Sequence, residues 1–141
     1  MSIVYAESSA ILAWLLGEPG QGDIVDALAA ADEIVTSALT IVECARGLLR
    51  ARLARRISAA EEAAAFRVLD AATRSWNIID LSEGVIAGAR QRFPREPVRT
   101  LDALHLASAL LLRDAVGAVH MLSLDDRVRS NATELGLVVA P

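Results

Sequence analysis

Short apolar runs alternate with helix-forming segments along the whole chain, and this alternation narrows the fold more than any other feature. Ile3-Val4-Tyr5, Glu33-Ile34-Val35-Thr36, Trp76-Asn77-Ile78-Ile79, Val119-His120-Met121-Leu122-Ser123 and Leu137-Val138-Val139 have the length and the β-branched or aromatic content of buried strands. Between them lie helix signals. Ser8-Ser9 offers an N-cap for a helix over 10–16, which Gly17-Glu18-Pro19-Gly20 ends, and a second helix follows over 24–30. Residues 39–53 are rich in good helix formers. Ser58-Ala59-Ala60-Glu61 is a capping box opening a helix that runs to about Thr73. Ser82 caps a helix reaching Phe93, ahead of Pro94 and Pro97; Thr100 caps one over 101–112; and Asp125 starts a short one. The pattern predicts a three-layer α/β/α sandwich, with a mostly parallel sheet and helices on both faces. In such a fold the working groups gather beyond the carboxyl ends of the strands.

A chain of 141 residues is the size of one domain, here expected to span 1–141. Its 54% hydrophobic content supplies a core that needs no disulfide or structural metal. The one cysteine, Cys44, excludes an internal disulfide and multi-cysteine metal sites, and reads as a small buried hydrophobe. All 14 basic residues are arginine, so chemistry that requires lysine, such as a P-loop or a Schiff base, is excluded. The net charge of −4 lacks the basic footprint of a DNA-coating protein. No dinucleotide-binding glycine fingerprint and no nucleophile elbow is present. Glu7 interrupts any signal-peptide pattern, and no apolar run approaches ~20 residues. A soluble, cytoplasmic protein with no membrane partner is expected.

What remains are carboxylates at consistent places. Glu7 follows the first strand, Asp125 follows the fourth, Asp102 falls in the first turn of the helix after Thr100, and Glu43 lies on the helix after the second strand. In a parallel sheet these positions converge on one edge. Acids at ~4 Å spacing repel and raise one another's pKa values unless a cation neutralises them. Oxygen donors without histidine or cysteine suit Mg²⁺ or Mn²⁺, which can activate water for in-line phosphodiester cleavage. Each acid taken singly also fits a structural role. Glu43 would complete a capping box with Thr40 if that helix starts late; Asp102 gains from the helix dipole; Asp125 is a serviceable N-cap; Glu7 is a solvated strand-end charge. Those separate roles do not require four acids to share one edge.

The surroundings of the four acids resemble a known family. Val4-Tyr5-Ala6-Glu7-Ser8-Ser9-Ala10 is similar to the first motif of PIN domains, a strand followed by Asp-Ser/Thr-Ser-Ala. Ser37-Ala38-Leu39-Thr40-Ile41-Val42-Glu43 resembles the second, Leu101-Asp102-Ala103-Leu104-His105-Leu106-Ala107 the third, and Leu122-Ser123-Leu124-Asp125-Asp126-Arg127 the fourth. The order and spacing match from about Ile3 to Val139, and the length and wording resemble the VapC toxins of bacterial toxin–antitoxin pairs. The resemblance implies a Rossmann-like sheet and a Mg²⁺- or Mn²⁺-dependent endoribonuclease acting on single-stranded or loop RNA. It implies a homodimer silenced by a VapB-like antitoxin, within a larger toxin–antitoxin assembly in some cases. Carried onto this chain, it makes Glu7 and Asp102 direct metal ligands, gives Glu43 and Asp125 metal-binding or water-positioning roles, and has Ser9 support the first acid. That first acid is ordinarily Asp. Glu7 adds a methylene, which moves the carboxylate outward by ~1.5 Å, a displacement that turnover tolerates less well than metal binding.

Two other readings stay open: a PIN-shaped domain with weakened catalysis that mainly holds an antitoxin, and a different metal enzyme on a similar sheet, such as a phosphatase. Among the remaining residues, Arg46 is read as a phosphate contact, while Arg50, Arg52, Arg55 and Arg56 fit a solvated helix end. His105 is expected to make a local hydrogen bond, Asp126 to be a solvated first-turn charge, and Trp14 and Trp76 to pack in the core or an interface. The apolar residues over 12–16 and 48–53 exceed what one small core needs and suggest a dimer or antitoxin surface.

Overall fold

All four residues of the first strand, β1 (Ile3–Ala6), are buried, as befits a strand covered on both faces. A computed structural model, which describes residues 1–141, places β1 at the centre of a five-stranded sheet. The other strands are β2 (Glu33–Ser37), β3 (Asn77–Ile79), β4 (His120–Leu122) and β5 (Val138–Ala140). Their order is β3-β2-β1-β4-β5, and every neighbouring pair is parallel.

The helices α1 (Ser8–Leu16) and α2 (Gln21–Ala30) link β1 to β2, and α3 (Ala38–Leu53) and α4 (Ala59–Ser75) link β2 to β3. The chain then crosses back past β1 through α5 (Glu83–Ala89) and α6 (Thr100–Val116), and α7 (Asp126–Glu134) completes the link to β5. Parallel crossovers are almost always right-handed, so reversing the direction of travel moves the helices to the opposite face. The buried residues divide accordingly. Val4, Ala6 and Leu122 pack with Ile11, Ile24, Cys44, Leu48 and Leu69 on one side. Tyr5 and Met121 pack with Leu106, Ala109 and Val128 on the other. The expected three-layer sandwich is the fold observed, and its strand order reverses between β1 and β4, where open parallel sheets form a crevice.

Several helix ends differ from expectation for local reasons. Glu7, not Ser8 or Ser9, occupies the N-cap of α1, because its carboxylate accepts from the Ser9 backbone N–H at 3.1 Å. Helix α3 starts at Ala38 under a Ser37 cap, so Thr40 and Glu43 form no capping box. Helix α5 stops at Ala89, well short of Phe93. The loop after it is organised by Glu96, whose carboxylate accepts from the backbone N–H groups of Phe93 (2.9 Å) and Val98 (2.6 Å). Thr100 is the first residue of α6, not its cap; Arg99 holds that position without a side-chain bond, and the helix continues to Val116. The Ser58–Glu61 capping box forms as expected, at 2.9 and 3.1 Å. Asp125 caps α7 through Arg127 and Val128.

The surplus of apolar residues is partly absorbed by the core. Ala13, Leu48 and Ala51 are buried, and Trp14 lies against Trp76 with ring centroids 6.2 Å apart. Leu49 and Leu53 remain outside, Leu53 with 86% of its surface exposed. No helix is long and apolar enough to cross a membrane. Close packing of α1 on α3 depends on Gly47, where a Cβ would meet Leu12 Cδ2 at 2.5 Å and Cδ1 at 2.8 Å. Gly47→Ala therefore displaces Leu12. With the gain in helix propensity set against the overpacking, the expected loss is about 1 kcal/mol, read from the urea midpoint. An unchanged midpoint would show that Leu12 gives way freely.

Candidate active site

The register Ala6↔Leu122 between β1 and β4 brings the residues after both strands side by side, and the Glu7 N–H extends the ladder by donating to the Leu122 carbonyl at 2.9 Å. Glu7 is only 3% exposed. Its Oε1 accepts from Ser8 Oγ (2.8 Å) and the Ser9 N–H (3.1 Å), and its Oε2 accepts from Ser123 Oγ (2.7 Å) and Ser9 Oγ. The added methylene does not carry this carboxylate outward: it folds back over the first turn of α1, where four donors meet the charge that burial would otherwise penalise. The same two serines hold the β4–α7 turn. Ser9 Oγ accepts from the Leu124 N–H at 2.9 Å and Ser123 Oγ from the Asp125 N–H at 3.1 Å.

Asp102 and Asp125 share one guanidinium. Arg99 Nε lies 3.2 Å from Asp102 Oδ2, and its terminal nitrogen lies 3.5 Å from Asp125 Oδ2. Burial pushes the Asp102 pKa up, and Asp125 and, more weakly, Glu7 push it further; Arg99 opposes them through its hydrogen bond and charge. Asp125 and Glu7 thus both act electrostatically on Asp102. Glu43, on the second turn of α3, lines a cleft of about 370 Å³ with Arg99, Thr100, Leu101 and Asp102.

Behind Glu43 is a buried polar chain. His105 Nε2 stands 2.5 Å from Glu43 Oε1, and His105 Nδ1 stands 2.8 Å from the Tyr5 hydroxyl. The expected local bond of His105 is absent; its partners are 62 and 100 residues away. Arg46 is exposed, pairs with no acid and lies one turn beyond Glu43 on α3. Asp126 is an exposed first-turn residue of α7. Ser123, Arg99 and Tyr5 were not legible as site residues, although Ser123 sits two positions before Asp125 and Arg99 three before Asp102.

Cys44 takes no part in this chemistry. It is fully buried, and burial pushes its thiol up to about 12, with Glu43 and Glu7 adding to the effect. A thiol reagent such as DTNB is expected to leave the native protein unmodified at pH 8 and to titrate one thiol in denaturant. Rapid native modification would contradict this environment.

No three carboxylate, imidazole or thiol groups converge closely enough to form a ready metal cage. The donor chemistry nonetheless fits a hard divalent cation. The site offers carboxylate oxygens at its open edge, and the Asp102 pKa stays raised, first by burial and then by the negative charge of Asp125, in spite of Arg99. Arg99 now supplies the positive charge between Asp102 and Asp125. Its side chain is 67% exposed, and pairs of that kind are weak enough for a cation to displace.

Sequence comparison places the chain among known proteins. The PIN domain model matches residues 4–134. Ribonuclease VapC46 of Mycobacterium tuberculosis (strain ATCC 25618 / H37Rv) is 35% identical over 146 aligned positions, covering 100% of this chain and 99% of that protein. Among solved structures, Mycobacterium tuberculosis VapC20, described as a Sarcin-Ricin loop cleaving toxin, superposes with a TM-score of 0.68 at 18% identity, over 98% of this chain and 99% of that one. FitAB bound to an IR36 DNA fragment gives 0.70 at 13% identity, over 97% and 92%. A toxin–antitoxin complex from Klebsiella pneumoniae gives 0.64 at 19% identity, over 100% and 98%. The structural matches show a shared fold; the family model and the full-length relative add sequence to it, and on both counts this chain belongs to the PIN-domain family.

Proposed function

We propose that residues 1–141 form a single PIN-like domain acting as a VapC-type toxin, a divalent-metal-dependent endoribonuclease whose cleavage centre consists of Glu7, Glu43, Asp102 and Asp125. The observation that carries this reading is the convergence of Asp102 and Asp125 on one guanidinium, that of Arg99, at the edge where the strand order reverses and where Glu7 and Asp125 follow neighbouring strands. Full-length likeness to a VapC ribonuclease supports it. Asp102 and Asp125, with Glu7 beside them, would hold Mg²⁺ or Mn²⁺, and such an ion supplies charge compensation at a phosphate and a more acidic bound water. Ser9 and Ser123 keep the Glu7 carboxylate in one orientation. Glu43 has one oxygen engaged by His105, and its Oε2, which has no protein donor, accepts a proton from the attacking water. Arg99, released from the carboxylates, has the exposure and the charge to contact a phosphate oxygen, and Arg46 extends that contact along the RNA.

The structural neighbours include a toxin–antitoxin complex, which supports a VapB-like antitoxin as partner. The exposed Val42, Leu49 and Leu53 on α3 suit either that partner or a homodimer. A cytoplasmic location for the complex belongs to the same proposal. A second reading is favoured by Glu7, whose oxygens are both occupied by serine and backbone donors. In it the domain is catalytically weakened and mainly binds antitoxin.

Incubation of purified, antitoxin-free protein with total RNA in Mg²⁺, Mn²⁺ or EDTA separates these. Discrete fragments that vanish with EDTA are expected. Cleavage that persists in EDTA contradicts the metal-dependent reading. No cleavage in any metal, with antitoxin affinity retained, would support the binding module. Rapid hydrolysis of small phosphate esters with RNA untouched would point to a phosphatase.

A further inference from the structure

His105 is completely buried, yet it is polar and belongs to neither the metal-holding set nor the apolar core. A buried imidazole costs free energy unless both nitrogens are satisfied, and here both are: Nε2 by Glu43 and Nδ1 by the Tyr5 hydroxyl. The three residues come from α6, α3 and β1, so the chain of contacts ties the centre of the sheet to the wall of the cleft. Its polarity has a direction. A carboxylate only accepts hydrogen bonds, so the proton of the neutral ring belongs on Nε2, which donates to Glu43 Oε1. Nδ1 then carries the lone pair and accepts from the Tyr5 hydroxyl. Tyr5 is itself fully buried, and burial raises its pKa, so it keeps that proton. The Tyr5 and His105 rings meet edge to face, 6.0 Å between centroids, which locks the imidazole in place.

We propose that His105 is a positioning residue for cleavage: Tyr5 fixes its tautomer and ring orientation, and its Nε2–H holds the Glu43 carboxylate in the cleft that Glu43 shares with Asp102. This rests on the assignment of Glu43 to the cleavage centre. Without His105, Glu43 is a long side chain on an open cleft wall, with no other hydrogen-bond donor and several rotamers available. An apolar residue at 105 would fill the same space, but it would take away the partner of the buried Tyr5 hydroxyl and could not orient a carboxylate.

The test combines variants with a kinetic cycle. His105→Leu removes both bonds; His105→Gln keeps an N–H near the position of Nε2. With Mn²⁺ present, His105→Leu is expected to lower kcat by ~10–100-fold with KM changed by less than about threefold, the scale on which partners that orient an active-site ligand act. His105→Gln recovers most of that loss. In a Glu43→Gln background, His105→Leu lowers kcat no further, although it still lowers Tm. The same fold-loss of kcat in both backgrounds would show a merely structural role and overturn the proposal. Undiminished kcat in Glu43→Gln alone refutes Glu43 as a member of the cleavage centre, and positioning falls with it. A strong loss there beside an unchanged His105→Leu refutes positioning only. Nitrogen-15 NMR of the wild-type imidazole decides the case even if the buried variants do not fold. A proton on Nε2, with its resonance displaced in Glu43→Gln, is expected; a proton on Nδ1 with Nε2 bare overturns the proposal.

Discussion

Asp102→Asn is expected to abolish RNA cleavage, by roughly a thousandfold or more, while raising the melting temperature at neutral pH. The two effects have one cause. Asp102 is nearly buried, and its charge is disfavoured first by that burial and then by Asp125. A group whose native pKa lies above its unfolded value destabilises the native state when ionised. That penalty is fully present above the native pKa and is relieved as pH falls through it towards the unfolded value. Asparagine keeps the shape and removes the charge, at the expense of a largely exposed pairing with Arg99 and a favourable helix-dipole contact. The expected net gain is on the order of 2 °C at pH 7. It shrinks as the pH is lowered and the wild-type Asp102 becomes protonated. Calorimetry at both ends of that range checks the sign. A variant less stable than wild type at pH 7 would mean that Arg99 outweighs burial and Asp125, and parental cleavage would remove Asp102 from the reaction.

Glu7 should behave in the opposite way. Four donors converge on its two oxygens, so Glu7→Gln turns an NH₂ group towards hydroxyl and backbone donors that now lack an acceptor. A loss of about 2–4 kcal/mol is expected, visible as a lower urea midpoint at unchanged slope. Part of that loss is transmitted to the β4–α7 turn, because Ser9 and Ser123 also accept from Leu124 and Asp125. Glu7→Asp keeps an acceptor for the Ser9 N–H but withdraws from Ser123. It should cost about 1 kcal/mol while leaving cleavage within about tenfold of wild type. Cleavage by Glu7→Asp alone, with none by the wild-type chain, would favour the antitoxin-binding reading. A Glu7→Gln protein as stable as wild type would mean that the four bonds contribute nothing net.

The layered fold was legible because strand and helix signals alternate through the chain, and the faces follow from crossover handedness once the strand order is known. The order itself was not encoded locally: nothing in Ile3–Ala6 announces a central strand beyond its unbroken burial. Helix ends failed where long-range or loop contacts decided them. Glu96 organises the residues after α5, and a glutamate caps α1 where the two serines looked like the natural caps. The acids were legible as candidates by residue type and place, Glu7 and Asp125 just after strands and Glu43 and Asp102 near the starts of helices. Their partners were not: Ser123 reaches Glu7 across 116 residues and His105 reaches Glu43 across 62, distances over which sequence spacing carries no geometry. Arg99 was masked by a different effect, since an arginine before a helix reads as a surface charge until the neighbouring carboxylates are seen to share it.

The most direct measurement is a Mn²⁺ titration of the antitoxin-free protein followed by electron paramagnetic resonance, with Asp102→Asn in parallel. If Asp102 and Asp125 form a cation-dependent cleavage centre, the wild-type chain binds Mn²⁺, EDTA reverses the binding, and Asp102→Asn weakens it at least about tenfold. Equal Mn²⁺ affinity in the two proteins, or no binding by the wild type at millimolar Mn²⁺, would contradict a metal-dependent ribonuclease built on these acids.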